Sequence, residues 1–144
     1  MRTLFVALFL IFFYSASAQY QVIKKNVAVG MYVHIKTCKT GASNFQYIDL
    51  YTKTRYPDTG IMIDTLTGDG VFENFFAPGD FDAKRLPAAY GENKYKIAAL
   101  RIFDDPDDKT GKAKKRVMIC YTGDKMSLIW IEVDKALTNK EIEF

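Results

Sequence analysis

KYKIAALRIFDDPDDKTGKAKKRVMICYTGDKMSLIWIEV, residues 94 to 133, is the stretch whose reading decides the fold class. In its first ten residues Tyr95, Ile97, Ala99 and Phe103 share one parity, while Lys94, Lys96, Ala98, Leu100 and Ile102 share the other. A helix is conceivable there, but the β-branched and aromatic content and the hairpin-like DDPDDKTGK that follows favour a strand. Arg116 to Thr122 is then the returning arm. Asp124 sits in a Gly-Asp turn, and Met126 to Val133 is the last and most hydrophobic strand. The tail from Asp134 to Phe144 has room for one helical turn or an edge strand.

Upstream the same character continues. Val27 to Thr37, VAVGMYVHIKT, is an apolar run rich in β-branched residues that suits a strand, with Gly30 marking a bend or bulge. Phe45 to Thr52 carries large groups on both parities and reads as a strand with an aromatic side. After the YPDTG turn cluster, Ile61 to Asp64 is expected as a short strand, TGDG as a turn, and Val71 to Phe76 as the other arm of a hairpin. From Ala77 to Gly91, Pro78, Gly79, Pro87 and Gly91 leave space for no more than one helical turn near Ala83 to Leu86. The expected architecture is all-β: a small antiparallel barrel or sandwich of about seven strands, the closed barrel preferred, with a long irregular aromatic-rich loop.

The chain opens MRTLFVALFLIFFYSASAQ, with Arg2 before an apolar run from Leu4 to Tyr14 and with Ala16 and Ala18 at A-x-A spacing. This reads as a signal peptide over residues 1–18, too short to be a spanning helix. Residues 19–144 then form a single β-rich domain, exported to the periplasm or the extracellular space, with no stable membrane insertion after cleavage. Loss of Arg2 leaves 19 basic against 17 acidic residues, and so balanced a charge argues against a nucleic-acid partner. Cys38 and Cys120 are expected to pair in an oxidising compartment. Closing so long a loop would remove about 4 to 5 kcal/mol of unfolded-state entropy in the chain-entropy treatment. The competing reading is two buried thiols acting as small hydrophobes.

No catalytic signature is present. His34, the only histidine, lies mid-strand, and no serine occupies a nucleophile elbow. Asp64, Asp69, Glu73, Asp80 and Asp82 contain enough carboxylates for hydrolase chemistry in 64–82, but turn aspartates in TGDG and PGDFD are explained by hydrogen bonds to local backbone. DDPDDKTG lacks the spacing of an EF-hand loop, so neither a metal nor another cofactor is expected.

The aromatics of Gly68 to Gly91, GDGVFENFFAPGDFDAKRLPAAYG, carry more information. Phe72, Phe75, Phe76, Phe81 and Tyr90 crowd one region, and two readings compete. In one they plug the core as a lid. In the other they line a surface for a partner, most simply a protein in the envelope or outside the cell, with Asp80, Asp82, Lys84 and Arg85 setting orientation. The function expected is therefore a non-catalytic exported β-domain that binds a partner through the face formed by 68–91. A carrier of small apolar ligands, with an interior cavity lined by Tyr47, Tyr51 and Trp130, is the alternative. The oligomeric state is left open by the residues.

Overall fold

The computed structural model describes residues 18–22, 24–55, 59–76 and 80–144. The expected signal segment, apart from Ala18, and parts of the YPDTG and PGD turns lie outside the described residues. No helix among the described residues is long and apolar enough to cross a membrane.

The chain is all-β. Strands β1 (Gln19–Val22) and β2 (Lys25–Ala28) form a separate hairpin. The main sheet holds β3 (Tyr32–Ile35), β4 (Asn44–Lys53), β5 (Phe81–Pro87), β6 (Asn93–Asp104), β7 (Lys114–Tyr121), β8 (Ser127–Glu132) and β9 (Ile142–Glu143), in the order β5-β4-β8-β7-β6-β3-β9. Every pairing is antiparallel. Two short α-helices, α1 (Val71–Phe76) and α2 (Val133–Thr138), and a 3-10 turn at Ala88–Tyr90 complete the described residues.

The apolar runs at residues 117–120 and 128–131 explain the centre of the sheet. Met118, Cys120, Ile129 and Ile131 face one side while Val117, Ile119 and Leu128 face the other, and all are buried. A strand apolar at both parities must be covered on both faces. The first face is covered by the β1–β2 hairpin through Val22 and Val27, by Val133 and Ala136 of α2, and by Ile142 of β9. On the second, Val71, Phe72 and Phe75 of α1 lie against Ala98, Ala99, Val117, Ile119 and Leu128.

Several expectations are corrected. The sheet is an open half-barrel, because β5 and β9 are its two ends and do not pair with each other. Val71 to Phe76 is a helix and not a hairpin arm, and residues 61–64 take no regular structure. In VFENFF the apolar positions fall at i, i+1, i+4 and i+5, which a helix gathers on one face. Gly70 enters this helix at φ 83°, where an added Cβ would lie 2.1 Å from the Met62 carbonyl oxygen, so only glycine fits the turn. Residues 81–87 are a strand where a loop with a helical turn was expected. Breakers misled here because Pro87 is the last residue of an end strand, where its missing N–H costs nothing. Gly30, at φ 88°, separates β2 from β3. The expected disulfide is not formed: Cys38 and Cys120 are both free, Cys120 buried and Cys38 half-buried against the same core.

One buried charge fastens the C-terminal tail. Glu141, 4% exposed, accepts the backbone N–H groups of Gln46 at 2.6 Å and Tyr47 at 3.0 Å, and the Asn139 side-chain amide at 3.0 Å. These N–H groups lie where the β4–β5 register shifts, between Asn44 and Asp49. The carboxylate supplies acceptors in a part of the ladder that the irregularity disrupts.

Candidate functional site

The second face of the sheet holds an aromatic groove. Tyr51 from β4, Trp130 from β8, Phe103 from β6 and Phe81 from β5 rise from the sheet, and Phe72 and Phe76 come down from α1. Trp130 is the hub. Its ring stacks with Phe103 at 5.8 Å and 21°, meets Phe72 at 5.8 Å and Phe76 at 5.7 Å edge to face, and lies 5.6 Å from Tyr51. Phe76 also meets Tyr51 and Phe81 edge to face, at 5.2 and 5.3 Å. Such pairs each add about 0.5 to 1.5 kcal/mol beyond burial, so the rings hold one another in place before anything binds.

The groove encloses about 440 Å³ and opens to solvent. Glu73 and Arg101 are its charged lining residues. They are paired at 2.6 Å, and the Arg101 guanidinium lies 4.2 Å from the centre of the Phe72 ring. The hydrogen bond from Arg101 holds the Glu73 carboxyl below the usual carboxylate range. Burial pushes the Tyr51 phenol up, keeping it protonated. The walls are thus apolar with one neutralised charge pair, a lining that suits apolar or aromatic groups.

On the other flank of α1 a second hollow of about 310 Å³ is bounded by Ile63, Val71, Phe75, Tyr121 and Leu128, among others. Met62 and Leu66, in the segment before α1, are 88% and 75% exposed. The helix between the hollows is anchored by Lys53, a buried lysine of β4 whose Nζ donates to the Asn74 carbonyl at 2.8 Å.

The residues singled out from the sequence separate into groups. Phe72 and Phe75 are buried under α1, whereas Phe76 and Phe81 are half-buried in the groove wall. Two of these rings complete the core, and the other two stay partly exposed in the groove. Asp82, Lys84 and Arg85 lie exposed along β5, Arg85 bonded to Asp49 at 3.0 Å, and Asp80 pairs with Arg55 at 2.6 Å. Tyr90 is elsewhere: it packs against the first-face core, its carbonyl accepting the Tyr95 hydroxyl at 2.7 Å. Tyr51 and Trp130 do meet, but Tyr47 lies apart, in a depression beside Lys135 of α2. Phe103 and Arg101 were not singled out, although their shared parity on β6 was the available signal.

The acids are spread among separate tasks. Asp64 accepts the N–H groups of Leu66 and Thr67 in a turn, Glu73 holds Arg101, Asp80 holds Arg55, and Asp82 lies on β5. His34 bonds Glu143 at 2.7 Å across the β3–β9 pair. Among the described residues, no three of His, Cys, Asp and Glu gather where they could hold a metal ion. Fold and groove together describe a small β half-barrel with an aromatic face. Compared with protein-family models, curated proteins and solved structures, the chain matches none.

Proposed function

We propose that the protein is an exported, non-catalytic β-domain that binds a partner protein through its α1 face, the partner inserting an apolar or aromatic side chain into the groove. The observation that carries this reading is the six-ring groove of about 440 Å³, preformed and open, whose charged pair is already neutralised. Interfaces concentrate their energy where a ring or aliphatic anchor fills such a pocket. The segment that precedes α1 also exposes Met62 and Leu66.

A small apolar ligand is the second reading, favoured by a groove volume within the ordinary ligand range. One experiment separates the two. Trp130 is the only tryptophan and sits in the groove wall, so its emission reports occupancy. The protein is used as bait in the medium or envelope fraction of its own source, and captured material is titrated back while emission is followed. Capture of a protein that shifts Trp130 emission and is lost in Phe76→Ser and Phe81→Ser variants supports the reading. Capture that survives both variants without an emission shift sinks it, and extraction of a small apolar compound in its place transfers support to the carrier.

A further inference from the structure

We propose that the outer edge of β5 pairs with the β5 edge of a second copy of this chain, antiparallel, about a two-fold axis through Ala83. The backbone defines which groups are available. Thr54 N–H donates to the Asp80 carbonyl at 3.0 Å, while Lys53 N–H turns the other way, to the Met126 carbonyl at 2.7 Å. Alternation along β5 then directs the N–H and C=O groups of Asp80, Asp82 and Lys84 at β4, and those of Phe81, Ala83 and Arg85 outward. β5 is the end of the sheet, with no further strand partner among the described residues, and Asp82, Ala83, Lys84 and Arg85 are all exposed. An unpaired edge of this length is a template for another strand.

The side chains choose the occupant and the register. A two-fold axis normal to the sheet keeps both copies the same way up, so only residues of like parity can meet. Centred on Ala83, Asp82 lies opposite Lys84 of the second copy, twice over, and Phe81 lies opposite its Arg85. The Ala83–Ala83 and Phe81–Arg85 pairs are the outward ones, so each exchanges both main-chain hydrogen bonds. The Asp82–Lys84 pairs are non-hydrogen-bonded, the kind in which side chains approach most closely, and opposite charges so placed are favourable. Centring on Asp82 would set that carboxylate against its own copy. Centring on Lys84 would set two ammonium groups together and place Phe81 against Pro87, which has no N–H to give. Only the Ala83 register satisfies both backbone and charge. It would also set Arg85 of the second copy opposite Phe81, whose ring lines the groove, so two grooves would share one extended sheet.

The pairing does not depend on the groove reading. Its test is the molar mass of the purified protein in solution by light scattering through a dilution series, with circular dichroism confirming that each variant is folded. The wild-type chain should reach twice the monomer mass. Asp82→Lys alone and Lys84→Asp alone each place like charges opposite and should return the monomer mass, and the double exchange Asp82→Lys with Lys84→Asp should restore the dimer. A wild-type chain that stays monomeric throughout overturns the proposal. So does a dimer indifferent to both single reversals. Phe103→Ala, in the groove but away from β5, should leave the mass unchanged.

Discussion

Arg101 on β6 caps Phe72 of α1: its guanidinium lies 4.2 Å from the ring centre while Nη2 donates to Glu73 at 2.6 Å. One cation thus fastens the helix to the sheet by a ring and by a carboxylate one residue further on. Arg101→Met keeps the apolar stem and removes both contacts. The expected loss is about 1 kcal/mol in denaturant unfolding, since the pair is half-exposed and screened. The Glu73 carboxyl is depressed by the Arg101 hydrogen bond, so its contribution is present above the ordinary glutamate pKa and lost as pH falls through the depressed value. Acid titration of stability should show this component in the wild-type chain and lack it in the variant.

Glu141 gives the largest single effect expected outside the core. Glu141→Ala leaves the N–H groups of Gln46 and Tyr47 without the acceptor that now serves them at 2.6 and 3.0 Å. Losing charge-assisted hydrogen bonds to a buried acceptor costs about 2 to 3 kcal/mol. Glu141→Gln retains a carbonyl acceptor and should fall between the two. Thermal unfolding of the three proteins checks the ranking.

Thiol chemistry should distinguish the two cysteines. Cys120 is fully buried, and burial pushes its thiol well above the ordinary range, so it holds little reactive thiolate. Cys38 is half-buried. Alkylation of the native, unreduced protein followed by peptide mapping should modify Cys38 first, with Cys120 reacting only once denaturant is added. An unreduced mass lower by two hydrogens would contradict the free pair.

The β6–β7 turn rests on Asp108. Its carboxylate accepts the N–H groups of Thr110, Lys112 and Ala113 as well as the Thr110 hydroxyl, and these bonds hold its pKa down to about 2. A depressed carboxylate steadies the fold above its unfolded value near 4 and ceases to do so as pH falls through 2. In Asp108→Ala, amide exchange at Lys112 and Ala113 should accelerate several-fold as the turn loses its acceptor. Exchange at Ile119 and Ile129 should not change.

The sheet was legible where β-branched residues outnumber breakers, from Tyr32 to Ile35 and through the three strands between Asn93 and Glu132. Helix α1 was not, because six residues span less than two turns and VFENFF satisfies a strand and a helix almost equally. Strand β5 was hidden for another reason: an end strand tolerates Asp82, Lys84, Arg85 and Pro87, the residues that argue against a central one. Half of the groove was in view as Phe72, Phe76 and Phe81. Tyr51 and Trp130 were in view only as the lining of an expected carrier cavity, and Phe103 joins them through the β4–β8, β7–β8 and β6–β7 pairings, which no local pattern announces. Glu141 carries no local signal, because the N–H groups its carboxylate accepts belong to Gln46 and Tyr47, far away along the chain.

The strand order also governs the sequence of assembly. Strands β6, β7 and β8 follow one another along the chain and pair as neighbours, so they can close over short loops. Strand β5 pairs with β4, and β4 in turn must find the more distant β8, setting Ile48 against Ile131. Contacts between distant residues form late and slowly. The aromatic face draws rings from β4, β5, β6, β8 and α1, so it should be the last surface completed, and nascent chains should expose those phenylalanines until β4 docks. A chaperone that shields this face would be acting on the slowest step of folding.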